Sequence, residues 1–127
     1  MERFLWVCLA GAMGTGVRYW VNIWAGQRFG TEFPYGTLIV NILGCFLIGL
    51  VLHLAGRIAD FPANLRFAVT TGFLGGLTTY SSFNYETTRF VQVGAPNAAA
   101  ANFAVTTVLC FAAGWLGVLV ASHWVGG

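Results

Sequence analysis

The sequence predicts an all-α integral membrane protein of four transmembrane helices, the third broken near its middle, and three observations carry that reading. Of the 127 residues, 57% are apolar and only 8% are charged, against about 25% charged in an ordinary soluble domain. Six basic and four acidic residues cannot coat a water-facing shell, so the expected solvent is lipid. Four stretches reach the roughly 20 apolar residues that a helix needs to cross a bilayer. One of them is interrupted by the run Gly75-Gly-Leu-Thr-Thr79.

The first span covers about 4–25 and holds a single charge, Arg18; it is expected to stay in the mature chain, since no cleavage site and soluble domain follow it. Residues 27–35, with Arg28, Glu32 and Pro34, read as a loop. The second span covers about 36–56. The connection 57–64, with Asp60 and Pro62, is short enough to return the third span as an antiparallel neighbour. That third span covers 65–93 with a break near 75–81, where Gly72, Gly75 and Gly76 precede Thr78, Thr79, Tyr80, Ser81 and Ser82. Glycine is a poor helix former, and a break frees carbonyls that lipid cannot hydrogen-bond, so the run must be buried in protein or line a wet cavity. The expected helical pieces are 65–75 and 82–93. Gly94, Pro96 and Asn97 then end the span, and 98–125 makes a fourth without a charged residue. The whole of 1–127 reads as one transmembrane domain.

Four spans put both termini on one side. Arg3, Arg57 and Arg66 then oppose Arg28 and Arg89, a split too even to set orientation. The expectation is insertion both ways and an antiparallel, dual-topology homodimer, with a fixed topology as the alternative. Small residues mark where helices approach closely: Ala10, Ala12, Gly14, Gly16, Gly44, Gly49, Gly114 and Gly117. Four thin helices do not easily enclose a polar path, which also favours a unit larger than one chain.

Several function classes fall away. The arginines are dispersed and the net charge is only +2, so no nucleic-acid face forms. Cys8, Cys45 and Cys110 are odd in number, far apart and set in apolar stretches without a neighbouring His or carboxylate. They read as packing residues and not as a metal site or disulfide framework. No Ser-His-Asp set, paired intramembrane carboxylates or metal-ligand spacing is present, so no enzyme is expected.

The polar residues inside apolar stretches are the informative ones. Asn41 offers two donors and a carbonyl whose unsatisfied burial costs several kcal/mol; it fits either an interhelical hydrogen bond or a donor to a permeating anion. Arg18 either snorkels to the interface or lends positive potential to an aqueous vestibule. Tyr80 and Phe83, three apart, share one side of a helix, and their ring edges are positive; they fit either space-filling or contact with an anion held by neighbouring hydroxyls. Glu86 and Arg89, also three apart, are expected to pair. His53, His123 and the tryptophans lie near span ends as interfacial anchors.

Taken together, Gly11-Ala-Met-Gly14 with Arg18-Tyr19, Gly36-Thr-Leu-Ile-Val-Asn41 with Gly44 and Gly49, and Gly72-Phe-Leu-Gly-Gly-Leu-Thr-Thr-Tyr-Ser-Ser-Phe83 with Glu86 resemble the fluoride channels called Fluc or CrcB. The last string is long and specific, and the match runs through the first three spans in order. The resemblance implies an antiparallel homodimer in the bacterial cytoplasmic membrane that exports fluoride passively and so lowers cytoplasmic fluoride. It implies two pores and a structural sodium ion held by backbone carbonyls of Gly75 and Thr78 from both subunits. It puts the pore asparagine at Asn41, the two pore rings at Tyr80 and Phe83, and pore hydroxyls at Ser81, Ser82 and Thr106. Tyr80 stands where the family has phenylalanine; its hydroxyl adds bulk and a donor, which predicts slowed or rerouted permeation. Asn102 stands where some relatives have tyrosine.

Neutral amide, hydroxyl and ring-edge donors could replace the water around a small anion without a full charge that would trap it. The rival reading is a small dual-topology, proton-coupled multidrug transporter, which requires an intramembrane carboxylate; Glu2, Glu32 and Asp60 lie outside the spans and Glu86 in the outer part of the third. A non-transporting scaffold would need no broken polar span.

Overall fold

A computed structural model describes residues 1–126, and every regular element among them is helical. Helix α1 spans Glu2–Phe29, α2 Tyr35–Arg57 and α3 Ala63–Phe67. A π-helical segment, Ala68–Leu74, leads into the single turn α4, Gly75–Leu77; α5 spans Tyr80–Gln92 and α6 Pro96–Trp124. With 28, 23 and 29 residues, α1, α2 and α6 are about 42, 35 and 44 Å long, against a hydrocarbon core of about 30 Å. Both α2 and α6 are long and apolar enough to cross a membrane.

Helix ends run past the apolar stretches because their flanking residues suit helix termini. Glu2 lies in the first turn of α1 and Arg28 in the last, matching the positive and negative ends of the helix dipole. Pro96 opens α6, where its missing N–H costs nothing. Gly94 adopts φ 78, a left-handed conformation that lets the chain reverse between α5 and α6.

The third stretch departs from expectation in two ways. Its first piece continues helically through Gly75 and Gly76, so the break narrows to Thr78 and Thr79, and its second piece starts at Tyr80 instead of 82. Packing against α1 explains the continuation. A Cβ added at Gly14 would collide with the Phe73 carbonyl, one at Gly72 with the Val7 carbonyl and Ala10, and one at Gly76 with the Gly11 carbonyl. Backbone lies on backbone along this seam, and the close contact offsets the roughly 1 kcal/mol helix penalty of each glycine. The second departure is the π winding of 68–74, a form that occurs mostly as short bulges near functional sites. At its start the Thr70 hydroxyl donates to the Arg66 carbonyl at 2.7 Å.

A second seam joins α2 to α6. Gly49 meets the Gly114 carbonyl, Gly117 meets the Phe46 carbonyl, and a Cβ at either glycine would again collide. Further along, Ser122 Oγ lies 3.2 Å from His53 Nε2. Ascending positions on one helix meet ascending positions on the other, so α2 and α6 run parallel. The buried apolar centre is small, comprising Val40, Leu74 and Leu77, while large side chains such as Trp20, Phe111 and Trp115 point outward. That distribution suits a lipid solvent, in which an outward apolar side chain carries no hydration cost.

Candidate functional site: a polar break facing a groove

In an unbroken helix the Thr79 N–H would bond the Gly75 carbonyl four residues back. Instead it donates to Asn41 Oδ1 at 2.8 Å, while Asn41 Nδ2 donates to the Thr79 carbonyl at 3.1 Å. One buried side-chain amide thus serves both the donor and the acceptor that the break exposes. Leaving either unpaired would cost about 1–3 kcal/mol. Asn41 reaches them from α2 because it lies on the face of α2 that also carries Thr37, Val40 and Gly44, all buried.

The neighbouring backbone is served as carefully. Half-buried Arg18 donates from Nε to the Gly76 carbonyl at 3.0 Å, so a cation from α1 clasps the last turn before the break. The Thr78 hydroxyl donates to the Leu74 carbonyl at 2.8 Å. Thr79 is extended (φ −151) and caps α5: its Oγ1 accepts from the Ser82 N–H at 3.1 Å, the usual office of a threonine N-cap.

The break opens on a groove of about 310 Å³ lined by Asn41, Thr78, Thr79, Tyr80, Phe83 and Thr106, with Cys45 and Cys110 on its wall. Tyr80 is 78% exposed while Phe83 is buried. Their rings stand edge-on, with centroids 5.6 Å apart and planes at 67°, so the three-residue spacing does bring them to one side. Asn41, Tyr80, Phe83 and Thr106 therefore come together. Ser81 and Ser82 do not line this groove; their hydroxyls lie 3.2 and 3.1 Å from Thr79 Oγ1 and complete the cap.

Two further polar connections tie the helices together. Glu86 turns to Thr37 and not to Arg89: the Thr37 hydroxyl donates to Glu86 Oε1 at 2.6 Å, tying α2 to α5, while Glu86 Oε2 is buried without a partner. Asn102, only 1% exposed, donates from Nδ2 to Thr87 Oγ1 at 2.9 Å and lies within reach of the Thr106 hydroxyl at 3.4 Å; the Thr87 hydroxyl in turn donates to the Phe83 carbonyl at 2.8 Å. The spacing holds the clue. Thr37, Asn41, Cys45 and Gly49 recur every four residues on α2, as do Asn102, Thr106, Cys110 and Gly114 on α6, and four-residue spacing aligns side chains on one helix face.

The break also releases main-chain oxygens. With Thr79 N–H turned to Asn41, the Gly75 carbonyl has lost its helical donor, and Gly75 is exposed. Carbonyl oxygens at Gly75 and Thr78 are neutral, hard donors of the type that hard cations accept.

Long apolar helices, a large outward apolar surface and one interrupted segment whose polar groups face a groove define a small helical membrane protein. More narrowly, the chain belongs to the CrcB family: the family model described as CrcB-like protein, Camphor Resistance (CrcB), matches residues 5–118. It is 47% identical over 127 residues to the fluoride-specific ion channel FluC of Sorangium cellulosum, covering 100% of both chains. It is 49% identical over 121 residues to the protein of the same name from Geobacter sp. strain M21, covering 95% of this chain and 98% of that one.

Proposed function

We propose that this protein is a fluoride-selective channel that passes fluoride passively down its electrochemical gradient, out of the cell and across the cytoplasmic membrane of a bacterium. The observation that carries the reading is the groove at the break, where uncharged donors and two aromatic rings converge in a chain whose full-length relatives are named fluoride-specific channels. A small, strongly hydrated anion needs several donors at close range to replace its water, and neutral donors hold it without trapping it. Asn41 and Thr106 supply amide and hydroxyl, Phe83 and Tyr80 supply ring edges, and Ser81 and Ser82 join them when their hydroxyls turn away from the Thr79 cap. Arg18, one turn of backbone from the groove, biases the local potential toward anions.

On this reading 1–127 is one transmembrane domain with four spans, and two copies assemble antiparallel as a dual-topology homodimer with two pores. A single protomer leaves the groove open on one side and offers only two carbonyls, Gly75 and Thr78. A second copy related by a two-fold axis doubles that set to four oxygens for a structural sodium ion and supplies the missing wall.

Purified protein in liposomes loaded with fluoride is expected to release it down its gradient and to retain chloride. Equal leakage of the two ions overturns selectivity. Uptake of a cationic drug driven by a proton gradient, without fluoride release, would put the transporter reading in its place, with Glu86 as the carboxylate it needs.

A further inference from the structure

Cys45 and Cys110 are far apart in sequence and adjacent in the fold. They occupy the same rung of the α2–α6 seam, between the Asn41/Thr106 rung and the Gly49/Gly114 rung. Both are partly exposed. Both line the groove at the break and also a second groove of about 430 Å³ with Gly49, Gly114 and Trp115. Backbone contact at Gly49 and Gly117 holds the helices close on the adjoining turns, so the two cysteines open into the same grooves from opposite walls. Cys8, on the exposed side of α1, has no such companion.

We propose that Cys45 and Cys110 form a two-thiolate site for a soft divalent cation of the mercuric type, and that filling it blocks the groove beside Asn41. Thiolates select soft cations, and a mercuric ion accepts two sulfurs in line without asking for a third ligand. Zinc is poorly served, since it wants four ligands and among the described residues no group of three or more His, Cys, Asp or Glu gathers. On binding, each thiol gives its proton to water and each sulfur forms one bond to the metal. One dication and two thiolates leave a neutral complex, which an apolar wall tolerates where a net charge would be costly. The site is one helical turn, about 6 Å, from Asn41 and Thr106. The block of flux rests on the channel reading; the binding does not.

The test uses Cys8→Ser protein titrated with mercuric chloride, followed by intact mass, proton release and the ultraviolet sulfur-to-metal absorption. One ion per chain and two protons released are expected, and Cys45→Ser or Cys110→Ser should each weaken binding about a hundredfold, the loss expected when one arm of a chelate is removed. Cys45→Ala and Cys110→Ala replace the serine variants if a hydroxyl disturbs the seam. Saturation should cut fluoride efflux by about tenfold in the Cys8→Ser protein and leave a Cys45→Ser/Cys110→Ser variant insensitive to the metal. Two ions per chain, or binding that survives either single substitution undiminished, overturns the dithiolate site. Tight 1:1 binding with undiminished fluoride efflux overturns the block. Tight 1:1 binding by protein that never conducts fluoride upholds the site and counts against the channel reading alone.

Discussion

Two glycine seams hold this molecule, and they differ in what happens next to them. Along α1, Gly11 and Gly14 lie on Gly72, Phe73 and Gly76, and the partner is the segment that breaks. Between α2 and α6, Gly49, Gly114 and Gly117 lie against the opposite backbone, and both helices run on unbroken. Glycine is therefore not the cause of the break. Gly75 and Gly76 are helical, and the interruption falls at Thr78 and Thr79, where Asn41 stands ready to take both backbone hydrogen bonds. In lipid a helix ends where another group can satisfy its main chain and not merely where its propensity is lowest.

One methyl group added to the first seam should do the most damage. Gly14→Ala drives a Cβ into the Phe73 carbonyl, a rigid neighbour, whereas Gly16→Ala, two residues away, enters open space. Overpacking costs about 1–3 kcal/mol where the core can shift, and here both sides are backbone, so Gly14→Ala is expected to lose the folded, monodisperse protein. Gly16→Ala should melt within about 0.5 kcal/mol of the parent. Circular dichroism melts and size-exclusion profiles decide it; equal behaviour of the two variants would show that the α1 seam tolerates side chains after all.

A smaller but more specific effect separates the break from the seams. Asn41→Ala removes both bonds to Thr79 while leaving every glycine contact in place. Stability should fall by about 1–3 kcal/mol for each backbone group left dry. Fluoride efflux should fall by at least about tenfold, since the same amide faces the groove. Loss of efflux with an unchanged melt would make Asn41 an ion ligand that contributes little to holding the break. Loss of stability with unchanged efflux would confine it to the structural role.

The parts of this architecture legible in the sequence are those set by local pattern. Helix content and the broken third segment follow from hydropathy and from the Gly-Gly-Leu-Thr-Thr run, and the Tyr80–Phe83 pair from three-residue spacing; Asn41 joins that pair in the sequence only through the family resemblance. The π winding at 68–74 is not legible, because no residue of the run Ala-Val-Thr-Thr-Gly-Phe-Leu marks it off from ordinary helix. Nor are the pairs that depend on the register of α2 against α6. Cys45 and Cys110, or Thr106 and Asn41, share a rung only once two glycine contacts fix how the helices slide, and no single-helix pattern contains that offset. Glu86 shows the same limit: its neighbour by spacing was Arg89, but the fold gave it Thr37 from another helix. Ser81 and Ser82 stand beside the rings in the sequence, which says nothing of the contact their hydroxyls make with Thr79.

The gentlest change alters the groove and neither seam. Tyr80→Phe removes one oxygen from a ring that is mostly exposed and retains the edge-on contact with Phe83. The melt should stay within about 0.5 kcal/mol of the parent, as for other exposed substitutions. Efflux should rise a few-fold, roughly the effect of removing a barrier of about 0.5–1 kcal/mol, if the hydroxyl obstructs the path. A fall in efflux would instead make that hydroxyl one of the donors that replace water around the ion. Unchanged efflux would place the narrowest point deeper, between Asn41 and Thr106, where α2 and α6 are locked by the second seam and the groove cannot widen.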